Sequence, residues 1–166
     1  MTVFLTVRTT VWRSQIAQMA ATTAGLVPVV KGNGYGFGRL RLAEIAAEFC
    51  DTVAVGTVHE LAGLPDALTA VVLTPTLQAP ATSDPILTVG RPEHLDALDA
   101  WVGRVLVKLP TDLRRYGGSS SLIDIARTRG HEVVGVSLHP PIAGTDGDRI
   151  EQITSVITHV DPRLTV

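Results

Sequence analysis

The sequence predicts an α/β protein built as a parallel β/α barrel of the TIM type, incomplete at about six of eight strands. Three observations predict it. Solid apolar runs recur at Leu26–Val30, Thr52–Val55, Ala70–Leu73, Ile86–Val89, Val105–Leu109 and Val133–Leu138, the pattern of strands buried on both faces. Segments with helical spacing fall between most of these runs, and such alternation builds a parallel sheet with helices outside. Lys31, Arg115 and His139 follow the first, fifth and sixth runs. A doubly wound sheet shares the alternation, but separated strands aiming reactive groups at one rim describe a barrel mouth.

Taken in order, Thr9 and Thr10 are placed to cap a helix reaching about Thr22, with Val11, Ile16, Met19 and Ala20 on one apolar face and Gly25 as its stop. Pro28 removes one ladder donor from the first strand. A glycine loop follows, and Leu40–Phe49 resumes helical spacing through Leu42, Ile45, Ala46 and Phe49. Further helices are expected at about Val58–Leu64, Pro92–Trp101, Ser120–Arg129 and Ile150–His159, with Pro92 in a first turn and Gly130 as a C-cap. Pro75–Pro85 is too polar and proline-rich to read as a helix. No linker or sequence repeat divides residues 1–166, which read as a single domain.

The totals exclude several function classes. With 14 basic against 16 acidic residues the net charge is −2, so no general attraction to nucleic acid or an anionic membrane follows, and any anion site must be local. A single cysteine, Cys50, rules out an internal disulfide framework and a multi-cysteine zinc site, and fits a cytoplasmic compartment. Met1–Arg8 lacks the charged start and long apolar run of a signal peptide, and no stretch approaches the ~20 apolar residues that span a membrane. His59, His94, His131 and His159 show no metal-ligand spacing, so no metal is expected.

The chemistry centres on Val29-Val30-Lys31-Gly32-Asn33-Gly34-Tyr35-Gly36-Phe37-Gly38. A lysine closing an apolar strand either snorkels to water or serves as an amine nucleophile. The alternating glycines permit φ > 0 and close approach of a ligand to backbone N–H groups, as a phosphate requires. The loop does not satisfy GxGxxG, because Phe37 stands at the third glycine, and no Gly-Lys-Ser/Thr follows for a P-loop. Ser119-Ser120-Ser121 reads as a loop and helix cap, while Asp124, Asp146 and Asp148 read as helix-start or solvated residues.

Val29-Val30-Lys31-Gly32-Asn33-Gly34-Tyr35-Gly36-Phe37-Gly38 resembles the cofactor-attachment motif VVKANAYGHG of the alanine racemases, pyridoxal 5'-phosphate (PLP) enzymes of fold type III. Val107 to Gly117 resembles that family's LKVDTGMNRLG, and Gly135-Val136-Ser137-Leu138-His139 resembles its GLMTH. The resemblance implies that Lys31 forms the internal aldimine with PLP and exchanges a proton at the substrate α-carbon. It implies that Tyr35 bonds the cofactor phosphate, Arg115 approaches the phenolic oxygen and His139 packs near the pyridine ring. Lys108 matches a lysine that many members carbamylate to orient the arginine. Pro110 and Asp112 depart from the family's DTG turn, and Phe37 replaces its histidine. The resemblance further implies an N-terminal barrel domain lacking its last strands and the C-terminal β-domain, which supplies the second base across a dimer. The implied activity is interconversion of L- and D-amino acids, weak or absent in this chain alone. The partners implied are a small amino-acid substrate and either a second copy or a protein completing the barrel. A non-catalytic PLP-binding homeostasis protein and an inactive fragment are the alternatives.

Overall fold

The computed structural model describes residues 6–164, so Met1–Leu5 of the N-terminal reading lies outside it. Five strands, β1 (Thr52–Val55), β2 (Thr69–Val72), β3 (Ile86–Val89), β4 (Arg104–Lys108) and β5 (Glu132–Ser137), form one sheet in chain order. Every pairing is parallel. Sequential order without a reversal is the wall of a barrel, since a doubly wound sheet changes direction at a switch point. The connections carry α1 (Thr9–Thr22), α2 (Arg39–Ala46), α3 (Pro92–Ala97), α4 (Ser121–Thr128) and α5 (Asp146–Ile157). A single 3₁₀ turn at Val58–Glu60 stands where a helix to Leu64 is expected.

The sheet's two faces differ in chemistry. Val53, Val55, Val72, Leu87, Val105 and Val107 are fully buried, in one cluster with Leu95 and Leu98 of the α3 segment and Leu122 and Ala126 of α4. The register then puts Thr88, Leu106 and Gly135 side by side on the opposite face, with Lys108 beside Ser137 at its upper end. A register shift between Val105 and Leu106 makes Val134 an extra residue, so Val133 and Val136 both join the core cluster. Burying those valines against helices is the main favourable term holding the sheet, at roughly 1.5–3 kcal/mol per side chain.

The first of the six expected strands, Leu26–Val30, is reduced to one bridge, Val29 to Ala54. The Val30 N–H donates to Ala54 O at 2.9 Å and the Ala54 N–H to Pro28 O at 2.8 Å. Toward the N-terminus the next donor would be Pro28, which has no N–H. Toward the C-terminus the next donors, Gly32 and Gly56, give their N–H groups to the Glu60 carboxylate. The ladder is therefore stopped at both ends by identifiable groups.

Helix α1 departs from its expected face. None of its residues is buried, and Val11 and Met19 are 48% and 59% exposed. It has no side-chain N-cap, since Thr9 and Thr10 are already helical and Arg8 holds that position. Trp12 stacks on Phe37 with centroids 5.7 Å apart, and an apolar groove of about 340 Å³ remains between α1 and the α2 segment. Helix α5 starts at Asp146, four residues before the expected Ile150, because Thr145 and Asp148 close a capping box. Pro92 and Gly130 take their expected places, in the first turn of α3 and after α4 with φ +85°.

Candidate functional site

Lys31 leaves the bridge segment at the C-terminal end of β1, and its loop is built from its own backbone. Gly34 N–H donates to Lys31 O at 3.1 Å, Phe37 N–H to Gly34 O at 2.9 Å and Gly38 N–H to Asn33 O at 2.9 Å. The Asn33 side chain reinforces the turn, its Oδ1 accepting from Gly36 N–H at 3.0 Å. Gly34 is the position where glycine is required on two counts. Its φ is +65°, and a Cβ there would lie 2.7 Å from Gly38 C and 2.8 Å from Arg39 N.

Glu60, which carries no signal in the sequence, secures the base of this loop. One carboxylate oxygen accepts from Gly56 N–H at 2.8 Å and from Gly32 N–H at 3.1 Å. Gly56 lies directly under the lysine stem, since a Cβ there would approach Lys31 Cβ to 3.4 Å and Glu60 Oε1 to 3.0 Å. Arg39, at the start of α2, donates to the backbone carbonyls of Glu60 and Ala62 and ties the loop's exit to the same turn.

Three other predicted residues face Lys31 across the rim. Lys108 ends β4 beside Ser137, and His139 follows β5 by two residues. Arg115 Nη1 stands 3.4 Å from His139 Nε2. Arginine only donates, so that nitrogen is the acceptor and the ring's proton sits on Nδ1. Burial, then the charges of Arg115, Lys108 and Lys31, push the His139 pKa down, so all three cations lie within electrostatic reach of His139. Burial and then Arg115 push the Lys108 amine down likewise. Among the described residues, no ion pair involves Lys31, Lys108 or Arg115. Tyr35 is not gathered with them in the same way. It sits at the loop crest with φ +56°, 63% exposed, and its hydroxyl has no hydrogen-bond partner among the described residues.

A second group of side chains lies behind Arg115. The Tyr116 hydroxyl is 3.2 Å from His94 Nδ1, which also accepts the Gly90 N–H at 3.1 Å. Two donors on one nitrogen require a lone pair there, so His94 is neutral with its proton on Nε2. Burial drives the Tyr116 phenol up to about 12, and Arg91 sits over its ring at 5.5 Å. Sequence reasoning missed this group, because a tyrosine and a histidine 22 residues apart carry no shared spacing signal.

A primary amine, an arginine and an imidazole, with no carboxylate paired to any of these cations among the described residues, fit a ligand with an aldehyde and several anionic oxygens. PLP has that chemistry, and these residues fit it. Among the described residues no cluster of three His, Cys, Asp or Glu occurs.

An open arc of parallel strands with a lysine at the C-terminal end of the first defines a β/α barrel domain with its functional rim at the strand ends. Residues 12–161 match the family described as alanine racemase, N-terminal domain, and the chain belongs to that family. Its fold is similar to alanine racemase from Oenococcus oeni, with a TM-score of 0.69 at 21% identity, covering 92% of this chain and 47% of that one. The biosynthetic alanine racemase from Pseudomonas aeruginosa gives 0.63 at 19%, covering 90% and 48%. A lysine/ornithine decarboxylase from Vibrio vulnificus, solved with cadaverine, gives 0.64 at 17%, covering 94% and 48%. The chain thus spans about half the length of the solved structures it matches. No curated protein sequence matches it. Among the described residues no helix is long and apolar enough to cross a membrane.

Proposed function

We propose that this chain is the cofactor-binding part of a PLP-dependent amino-acid racemase of the alanine racemase type. The convergence of Lys31, Lys108, Arg115 and His139 on one rim, unpaired with any carboxylate, carries the reading. Lys31 would hold the cofactor covalently and carry a proton to or from the substrate α-carbon. Arg115 would donate to an anionic oxygen of the ring, and the neutral His139 would keep that arginine oriented. Lys108, its amine pushed toward the neutral form, would stand behind Arg115 and adjust its charge environment. Tyr35 would meet the phosphate, with its ring turning inward from its exposed position. Bound PLP supplies an electron sink that acidifies the α-carbon of a small amino acid. A second proton-transferring group, on the opposite face of the substrate, completes a racemase. A second copy of the chain or a protein completing the barrel is the proposed source.

The test is the visible absorption band that forms when PLP is added to the purified chain. A band that appears in the native chain and is lost in Lys31→Ala supports the reading. Its absence from the native chain, or its survival in the variant, overturns the assignment of Lys31. With the band established, interconversion of L- and D-alanine separates a racemase from a carrier of the cofactor.

A further inference from the structure

We propose that Tyr116 is a positioning residue that holds Arg115 toward His139 by seating its own side chain in a slot formed by Gly90 and His94. The proposal rests, for its functional meaning, on the reading of Arg115 as a cofactor-facing group. Its geometry stands apart from that reading.

Arg115 is exposed, and its one side-chain hydrogen bond among the described residues, to His139 at 3.4 Å, is long. Such a contact holds a flexible arginine poorly, so its direction must come from the backbone. The preceding residue, Arg114, has φ +54° and closes a turn through its N–H to Thr111 O at 2.8 Å. The following residue is the anchored one. Tyr116 sets its ring edge-on to His94, 5.6 Å between centroids, with its hydroxyl on Nδ1 at 3.2 Å. The slot exists because residue 90 is glycine, since a Cβ there would lie 2.9 Å from the hydroxyl and 3.0 Å from Cζ. Gly118 N–H then donates to Lys108 O at 2.8 Å, returning the chain to the end of β4. Adjacent side chains on this loop are thereby committed in different directions, Tyr116 into the β3–α3 junction and Arg115 across the rim.

His139 reports where Arg115 is. The charged groups facing it are Arg115, Lys108 and Lys31, and all three oppose its protonation. The experiment follows the pH midpoint of the His139 ring signal by NMR in the purified chain without added cofactor, with His139→Gln identifying the signal. The midpoint should rise in Arg115→Ala. It should rise by at least half as much in Tyr116→Ala, with no further rise when both changes are combined. Tyr116→Phe keeps the ring in its slot, loses the hydroxyl bond, and should give a smaller rise. An unmoved midpoint in Arg115→Ala or in folded Tyr116→Ala overturns the proposal, as does a Tyr116→Ala rise that is the same with and without Arg115. If Tyr116→Ala does not fold, Tyr116→Phe decides, and an unmoved midpoint there overturns it. No cofactor enters this measurement, so a missing PLP band refutes the proposed function and leaves this result to stand or fall separately.

Discussion

Removing the Glu60 carboxylate tests the account of how the lysine loop is held. In Glu60→Ala two backbone donors lose their acceptor, Gly56 N–H at 2.8 Å and Gly32 N–H at 3.1 Å. The first is part-buried, and leaving such a donor unsatisfied costs about 1–3 kcal/mol. The second is exposed, so water replaces the carboxylate and the loss is about 0.5 kcal/mol. The Arg39 bond goes to the Glu60 main chain and survives the substitution. The expected destabilisation is therefore about 1.5–3.5 kcal/mol, or roughly 3–14 °C in Tm for a chain of this size. Glu60→Gln keeps one oxygen acceptor without the charge and should lose about half as much. Urea unfolding measures the total, and amide hydrogen exchange at Gly56 and Gly32 localises it, since both should exchange faster in Glu60→Ala. A variant within about 0.5 kcal/mol of the native chain, with unchanged exchange at Gly56, would refute the claim that this carboxylate ends the ladder.

Two further substitutions follow from the same structure. Gly34→Ala places a Cβ against backbone atoms at 2.7 and 2.8 Å and at φ +65°, whereas Gly36→Ala, at φ +91°, meets nothing within 4 Å. The first should cost about 3 kcal/mol or more and the second about 1–2 kcal/mol in urea unfolding, and equal costs would contradict the packing argument. His131 is 4% exposed, neither ring nitrogen has a partner among the described residues, and burial and then Arg129 lower its pKa. The unfolded chain therefore takes up this proton first on acidification. The neutral form's stability is complete above the unfolded value of ~6.5 and is lost as the pH falls through the lowered folded value. His131→Leu should reduce the loss of stability between pH 7 and 5, and an unaltered slope would argue against a buried neutral imidazole.

The strands were legible because they are solid valine-rich runs, and all five lie within one residue of their expected bounds. Helix ends were less legible. Their stops depend on i→i+3 turns, such as Leu98 N–H to Leu95 O and Trp101 N–H to Leu98 O, and these leave no compositional trace. The first strand failed for a reason only half visible. Pro28 could be read from the sequence, whereas Glu60 intercepts Gly32 and Gly56 across 28 and four residues, a contact only the folded turn creates. Of the candidate site, the positions of Lys31, Arg115 and His139 after apolar runs were legible as one rim, since parallel strands present their C-terminal ends on the same side. Tyr35 was legible as a position in the loop and not as a direction, since αL backbone at that residue leaves its ring in solvent.

The distribution of charge is consistent with the proposed anion-binding role of this rim although the chain as a whole is slightly acidic. The ion pairs among the described residues lie on the helices and their flanking turns, as in Arg13 with Glu48, Arg129 with Asp96 and Arg149 with Asp146. The Glu60 carboxylate, beside Gly56 under the lysine stem, is spent on backbone N–H groups. The rim cations are left to face one another, and like charges brought together are unfavourable unless some give up protons. Arg115 cannot do so, whereas Lys108 and His139 can, and both are displaced toward their neutral forms. An anion arriving at the rim reverses that balance by rewarding the charged forms. By linkage, its binding takes up protons at these groups and grows weaker as the pH rises through their folded-state values. The groups that would attract an anion thus include those whose protonation burial and the neighbouring cations oppose.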